Sequence, residues 1–223
     1  MATAAGQGAG PLATGPGPLG APADRGSRTP VTHLLYLHGF RSSPQSHKAR
    51  QMAAWMQAHR PEVQWWCPQL PPSPRDAMAM LIDHAAGWPA ERSAVIGSSL
   101  GGFYATALAE RLGWRAVLLN PAVDPARDLA RHIGEISAWH SDERFFFRAE
   151  FIDELRTLAP PLLTQHERYF AIIAKGDEVL SWAEMSARYR GCRVKLLEGG
   201  DHALSDFAAH IPEVAGFLGL APG

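Results

Sequence analysis

The sequence predicts an α/β fold: a mostly parallel, six-stranded sheet with helices on both faces and a helical, lid-like insertion. Three observations predict it. Apolar strand-like runs alternate with stretches of helical spacing from residue 31 onward, the pattern that right-handed βαβ crossovers produce. The first run, "LLYL", is apolar at consecutive positions rather than at every second one, as a strand covered on both faces is. And "VIGSSLGGF" (95–103) passes from an apolar run through a glycine-rich turn into a helical pattern.

The elements follow in order. "VTHLLYLHGF" (31–40) is the first strand. "SHKARQMAAWMQAHRP" (46–61) is a helix, with Met52, Trp55, Met56 and His59 at helical spacing and Pro61 as its stop. "EVQWWCPQL" (62–70) is β-branched and aromatic and is read as a strand ending at Pro68. "PRDAMAMLIDHAAGW" (74–88) starts a helix near Pro74. "RSAVIGSSLGGFYATALAERLG" (92–113) is strand, tight turn and helix, closed by Gly113. "WRAVLLNPA" (114–122), "RYFAIIAKGDEVL" (168–180) and "CRVKLLEGGDH" (192–202) supply the fourth, fifth and sixth strands. "LSDFAAHIPEVAGFLGL" (204–220) is a terminal helix with an expected break near Pro212.

Two segments stand outside this rhythm. Residues 1–30 are Gly, Ala and Pro with little else. Such a composition buries too little surface to offset its ordering entropy, so a disordered tail is expected. It lacks the basic start and apolar run of a signal peptide, which makes a cytoplasmic chain the expectation. Residues 31–223 then read as one domain, a usual size for one core. Residues 124–166 form a long insertion between the fourth and fifth strands. Phe147, Phe151, Leu155 and Leu158 recur there at helical spacing, and an insertion of this length needs structure of its own. A lid over the site is one use for it.

Composition narrows the function classes. A net charge of -1 offers no electrostatic reason for a nucleic-acid partner. No apolar run approaches the roughly 18 residues that span a bilayer, so no integral membrane segment is expected. Two cysteines, Cys67 and Cys192, are too few for a disulfide scaffold or a zinc cluster. No metal and no cofactor are expected.

The chemistry concentrates at the predicted strand ends, where sheets of this kind place their reactive groups. The turn at 97–101 fits Gly-x-Ser-x-Gly. A serine at the tip of a sharp strand-to-helix turn leaves no room for bulk two positions to either side. Around Ser99 those neighbours are Gly97 and Gly101; around Ser98 they are Ile96 and Leu100. Ser99 is therefore the candidate nucleophile and Ser98 the variable residue before it. A chance match in a chain with 21 glycines is the alternative; the flanking strand and helix argue against it.

A serine hydroxyl needs a base. Of ten histidines, His202 follows the last strand behind two glycines, in "EGGDHAL", where it can reach across to Ser99. Asp177, just past the fifth strand in "KGDEVL", is the candidate orienting carboxylate. The order Ser, Asp, His is the α/β-hydrolase order. Asp124 competes for the carboxylate role, Glu178 is read as a solvated neighbour, and Asp201 as a residue shaping the histidine's loop. The backbone N–H groups of Leu100, opening the helix, and Phe40, in the loop after the first strand, are the candidate oxyanion donors. His38 is read as bracing that loop.

Together, "LLYLHGFRSSPQSHKA", "PQLPPSP", "VIGSSLGGFYAT", "LNPAV", "KGDEVL" and "EGGDHAL" resemble the YqiA-type bacterial esterases, a small α/β-hydrolase-fold family, over about residues 34–220. The resemblance implies metal-free hydrolysis of a small-molecule carboxylic ester or acyl thioester through an acyl-enzyme, and it implies the triad Ser99, Asp177 and His202. Residues 1–30 and the "FFFRAEF" of the insertion depart from it. A catalytically silent ligand-binding scaffold and an amidase-type acyl hydrolase stand as alternatives. Phe147 and Phe151, with Trp139 and Phe145 nearby, are candidates for an apolar acyl pocket; core packing or a dimer interface would explain them equally well. The sequence leaves the oligomeric state open.

Overall fold

The computed structural model describes residues 29–137 and 144–220. The expected tail, apart from its last two residues, and Trp139 lie outside that description. The chain begins with β1 (His33–Leu37), α1 (His47–His59), β2 (Gln64–Trp66) and α2 (Pro74–Ala85). It continues through β3 (Ser93–Ser98), α3 (Leu100–Leu112) and β4 (Arg115–Leu119). The insertion follows, then β7 (Tyr169–Ala174), α6 (Trp182–Arg188), β8 (Arg193–Leu197) and α7 (Phe207–Leu218).

Six strands form one sheet in the order β2-β1-β3-β4-β7-β8. Every neighbouring pair is parallel. All the strands therefore end along one edge. The order reverses between β1 and β3, and such a switch point opens a crevice beyond the strand ends.

Alternation along the strands divides the core in two. Leu35, Leu37, Val95, Leu118 and Ile173 point to the face covered by α2, α3, α5 and α6, where α5 is Glu150–Leu158 of the insertion. Leu34, Tyr36, Ile96, Val117 and Ile172 point to the face covered by α1 and α7. Each fully buried aliphatic side chain contributes about 1.5–3 kcal/mol relative to exposure. With both faces covered, β3 and β7 are buried at every position, which is why their sequences carry so few polar residues.

Local signals set the helix ends. Ser73 accepts the Asp76 amide and Pro74 follows it, so α2 starts there. Gly113 closes α3 in the left-handed conformation, φ 76°. Pro212 does not break α7, which runs unbroken through it. The buried face of Phe207, Ile211, Val214, Phe217 and Leu218 outweighs the one intrahelical hydrogen bond a proline forfeits.

The insertion is helical at its two ends and stranded between them. It holds α4 (Pro125–Leu129), an antiparallel hairpin of β5 (Gly134–Ser137) and β6 (Arg144–Phe147), and α5. Phe147 thus ends a strand and does not share the helix with Phe151. Glu154 of α5 accepts from the Ser73 hydroxyl at 2.7 Å and the Arg75 amide at 3.0 Å, docking the insertion on the start of α2. Arg41 donates from Nε to the Ser137 carbonyl at 2.7 Å, docking the hairpin on the loop after β1.

The helix α6, which the sequence reading did not anticipate, is tied to α3. Thr106 donates to the Gly102 carbonyl at 2.8 Å, so the buried Tyr189 hydroxyl, 2.9 Å away, donates to Thr106. Thr106→Val keeps the shape and removes both bonds. It is expected to destabilise the fold by about 1–3 kcal/mol, measured as a lower urea midpoint with unchanged slope.

Candidate active site

Ser99 stands between β3 and α3 with φ 54° and ψ −120°. For a residue with a side chain this is a strained conformation, costing about 1–3 kcal/mol unless its surroundings impose it. They do so here. The Ser99 amide donates to the Leu119 carbonyl at 3.0 Å, and the Ser99 carbonyl accepts from Gly102 and Ala122. Two glycines allow the chain to turn this tightly. A Cβ on Gly97 would lie 2.2 Å from the Gly101 carbonyl oxygen, and one on Gly101 would lie 2.1 Å from that of Leu37. Ser98, by contrast, is the last residue of β3 and is buried.

His202 and Asp177 meet Ser99 across the strand ends. His202 Nε2 lies 3.0 Å from Ser99 Oγ, and Nδ1 lies 2.8 Å from Asp177 Oδ2. A carboxylate can only accept, so Nδ1 carries the proton and Nε2 is the acceptor for the serine hydroxyl. The Asp177 side chain is fully buried. Its other oxygen, Oδ1, accepts the Val179 and Leu180 amides, both at 2.8 Å. Those two bonds fix the plane of the carboxylate that faces the imidazole.

The neighbouring acidic groups take other positions. Asp124 caps α4 by accepting the Arg127 amide. Asp201 accepts from the Ser205 amide and hydroxyl, shaping the loop. Glu178 is exposed, as expected, and its Oε2 also accepts the His202 amide at 3.0 Å. Asn120, at the end of β4, was not anticipated. Its Nδ2 donates to the carbonyls of Asp201 and His202, and its Oδ1 accepts the Ala174 amide.

The two candidate oxyanion amides belong to segments that flank Ser99. Leu100 is the first residue of α3, where an amide has no intrahelical carbonyl to reach. The loop after β1 runs close beside Ser99: a Cβ on Gly39 would lie 3.2 Å from Ser99 Cβ and 3.6 Å from its Oγ. Phe40 follows directly. His38 is buried and braces this loop, donating from Nδ1 to the Gly39 carbonyl at 3.0 Å and accepting the Leu70 amide at 3.2 Å.

A cavity of about 550 Å³ opens beside these groups, lined by Gly39, Phe40, Leu100 and Tyr104 on one side and by Leu129, Phe145, Phe147 and Leu155 of the insertion on the other. Pro71, Pro72 and Pro74 close a third wall, and Arg41 and Arg144 are the charged residues of its lining. Burial, and then the charges of Arg131 and Arg41, hold His132 below the usual imidazole range; its ring lies 5.6 Å from that of Phe40. Phe147 lines the cavity; Phe151 does not. Its ring stands behind Phe147 at 5.4 Å, buried against the core. Of the two residues named for a pocket, Phe147 is in the lining of this cavity and Phe151 is not. Phe151 belongs to α5, whose buried face packs inward.

Comparison with known proteins gives the family and the fold. The model of a family described as an uncharacterised protein family (UPF0227) matches residues 33–219. Among solved structures, a protein from Agrobacterium vitis S4 designated a hydrolase is 15% identical, with a TM-score of 0.64 over 85% of this chain and 91% of its own. Alpha/beta hydrolase domain-containing protein 10 from mouse is 14% identical, with a TM-score of 0.62 over 83% and 90%. An esterase domain from Rhodothermus marinus is 19% identical, with a TM-score of 0.60 over 87% and 88%. At these identities the likeness establishes the α/β-hydrolase fold. Among the described residues no helix is long and apolar enough to cross a membrane.

The turn at Ser99 depends on contacts between backbone atoms, which cannot rotate away. Gly101→Ala is expected to destabilise the fold by about 3 kcal/mol, read by urea denaturation.

Proposed function

The chain belongs to the YqiA-like family, UPF0227, and from that premise we propose that it is a serine hydrolase acting on small-molecule carboxylic esters or acyl thioesters. One observation carries the reading: the unbroken series of hydrogen bonds from Ser99 Oγ through His202 to the buried Asp177 carboxylate.

The chemistry follows from the donors and acceptors. Ser99 Oγ attacks the acyl carbonyl carbon while its proton passes to His202 Nε2. Asp177 keeps the imidazole in the tautomer that accepts this proton and then stabilises the imidazolium. The carbonyl oxygen becomes an oxyanion, held by the N–H groups of Leu100 and Phe40. One such donor supplies about 3 to 4 kcal/mol of transition-state stabilisation. The tetrahedral intermediate collapses, and the alcohol or thiol leaves with the proton from Nε2. Water, deprotonated by the same nitrogen, then attacks the acyl-serine and releases the acid. No step needs a metal or an organic cofactor.

The cavity beside Leu100 and Phe40 has enough apolar lining to take an acyl chain. Its walls include the apolar side chains of Phe40, Leu129, Phe145, Phe147 and Leu155.

Two predictions follow from these assignments. A serine-reactive fluorophosphonate is expected to add to Ser99 of the folded protein, read by intact mass and peptide mapping. Ser99→Ala should abolish labelling and lower kcat by at least about 10³-fold. Ser98→Ala should stay within about 10-fold of wild type. Folded protein that neither labels nor turns over acyl esters would instead be a silent binding scaffold. Phe147→Ala is expected to move the preferred chain length in a p-nitrophenyl ester series toward longer acyl groups, because it enlarges the cavity. Phe151→Ala should lower stability by about 3–5 kcal/mol and leave the preference where it was.

A further inference from the structure

The loop that carries His202 has no regular secondary structure between β8 and α7, yet the imidazole must be held to a fraction of an ångström. Its backbone is fixed by side chains from other elements. Asn120 Nδ2 donates to the Asp201 carbonyl at 2.9 Å and to the His202 carbonyl at 3.2 Å. The Lys48 ammonium, in the first turn of α1, donates to the Ala203 carbonyl. Three successive carbonyls are thus held by two side chains. Asn120 also reaches the other arm of the site: its Oδ1 accepts the Ala174 amide at 2.8 Å, at the end of β7 and shortly before Asp177. Asn120 is buried and adopts φ 41°, a left-handed conformation that aims its amide between the two arms. Neither residue lines the cavity.

We propose that Lys48 and Asn120 are positioning residues that hold the His202 loop, and with it the Nε2–Ser99 hydrogen bond, in register. This rests on the serine-hydrolase reading above. Asn120 supplies a neutral brace between the two arms. Lys48 supplies a charged one, reaching the loop from the start of α1 in "SSPQSHKA", a stretch the mechanism otherwise leaves without a role.

The charge on Lys48 gives the proposal a signature that simple packing would not. Burial pulls its ammonium down to about 8, although the carboxylates of Asp201 and Asp177 hold it up. The loops after β7 and β8 also carry Lys175, Glu178, Glu198, His202 and Asp206. Below that pH the bond to Ala203 is charge-assisted, and such bonds are about twice as strong as neutral ones. As pH rises through about 8 the ammonium is lost and the brace weakens. The activity held by Lys48 is therefore present below pH 8 and declines above it.

The test is the pH dependence of kcat and KM for p-nitrophenyl butyrate hydrolysis, with Ser99→Ala as control. Lys48→Met and Asn120→Ala are expected to lower kcat by about 10- to 100-fold with KM within about twofold. Wild type should show a fall in kcat centred near pH 8, which Lys48→Met should lack. Lys48→Arg, whose guanidinium keeps its charge, should retain more activity than Lys48→Met and remove the fall. The wild-type and Lys48→Arg profiles decide the matter even if Lys48→Met does not fold. Wild-type kcat in Lys48→Met, losses confined to KM, or an alkaline fall that persists in Lys48→Arg would each overturn the proposal. Ser99→Ala with full activity would overturn the hydrolase reading itself, so the two failures are distinguishable.

Discussion

The close backbone approach at the turn after β3 is the constraint on which the rest of the site depends. Gly97, Gly101 and the end of β1 occupy one small volume. That contact forces Ser99 into a strained conformation at the tip of the turn. It also decides what faces the serine. With α3 pressed against the Leu37 and His38 carbonyls, the loop carrying Gly39 and Phe40 lies beside Ser99. A fold that relaxed this contact by an ångström would separate the hydroxyl from that loop, a displacement that costs about 10²-fold in rate in comparable sites.

The parallel sheet supplies the second requirement, convergence over long sequence distances. Ser99, Asp177 and His202 follow β3, β7 and β8, which end along one edge of the sheet. β4 lies between β3 and β7, and its last residues are placed to serve both sides. Asn120 does so, with its amide donating to the His202 loop and its oxygen accepting from the end of β7. The shared brace makes the placement of the Asp177 and His202 arms interdependent. A shift of β4 would move both together rather than pull them apart.

These layers were unequally legible in the sequence. The six strands of the sheet could be read because apolar runs and caps are local signals. Ser99 could be distinguished from Ser98 because the steric demand falls at fixed offsets, on Gly97 and Gly101. The hairpin of the insertion could not be read. Phe145, Phe146 and Phe147 are consecutive aromatics with no period, and pairing with Gly134 to Ile136 decides their state. Phe147 seemed to belong with Phe151 because a spacing of four fits a helix, although the helix starts only at Glu150. The helix α6 is seven residues long, too short for periodicity to declare itself. Lys48, Asn120 and Glu178 were invisible for a different reason. Each bonds to backbone atoms, and backbone partners leave no trace in residue type.

The insertion links the fold to selectivity. Its hairpin and α5 supply one wall of the cavity, and the loops after β1 and β2 supply much of the rest. Two anchors hold that wall: Glu154 on the start of α2, and Arg41 on the hairpin. Arg41 adopts φ 61° in the same loop that carries Phe40. The loop that carries Phe40 is thereby tied to the hairpin that walls the cavity, and Phe40 itself packs edge-on against Phe147 at 5.3 Å. A bulky acyl group pressing on Phe147 would push on Phe40 before it reached Ser99. Under the proposed acyl-hydrolase function, chain length and turnover would be coupled through the ring contacts of Phe40 with Phe145 and Phe147, and a change in cavity shape would act on rate as well as on binding.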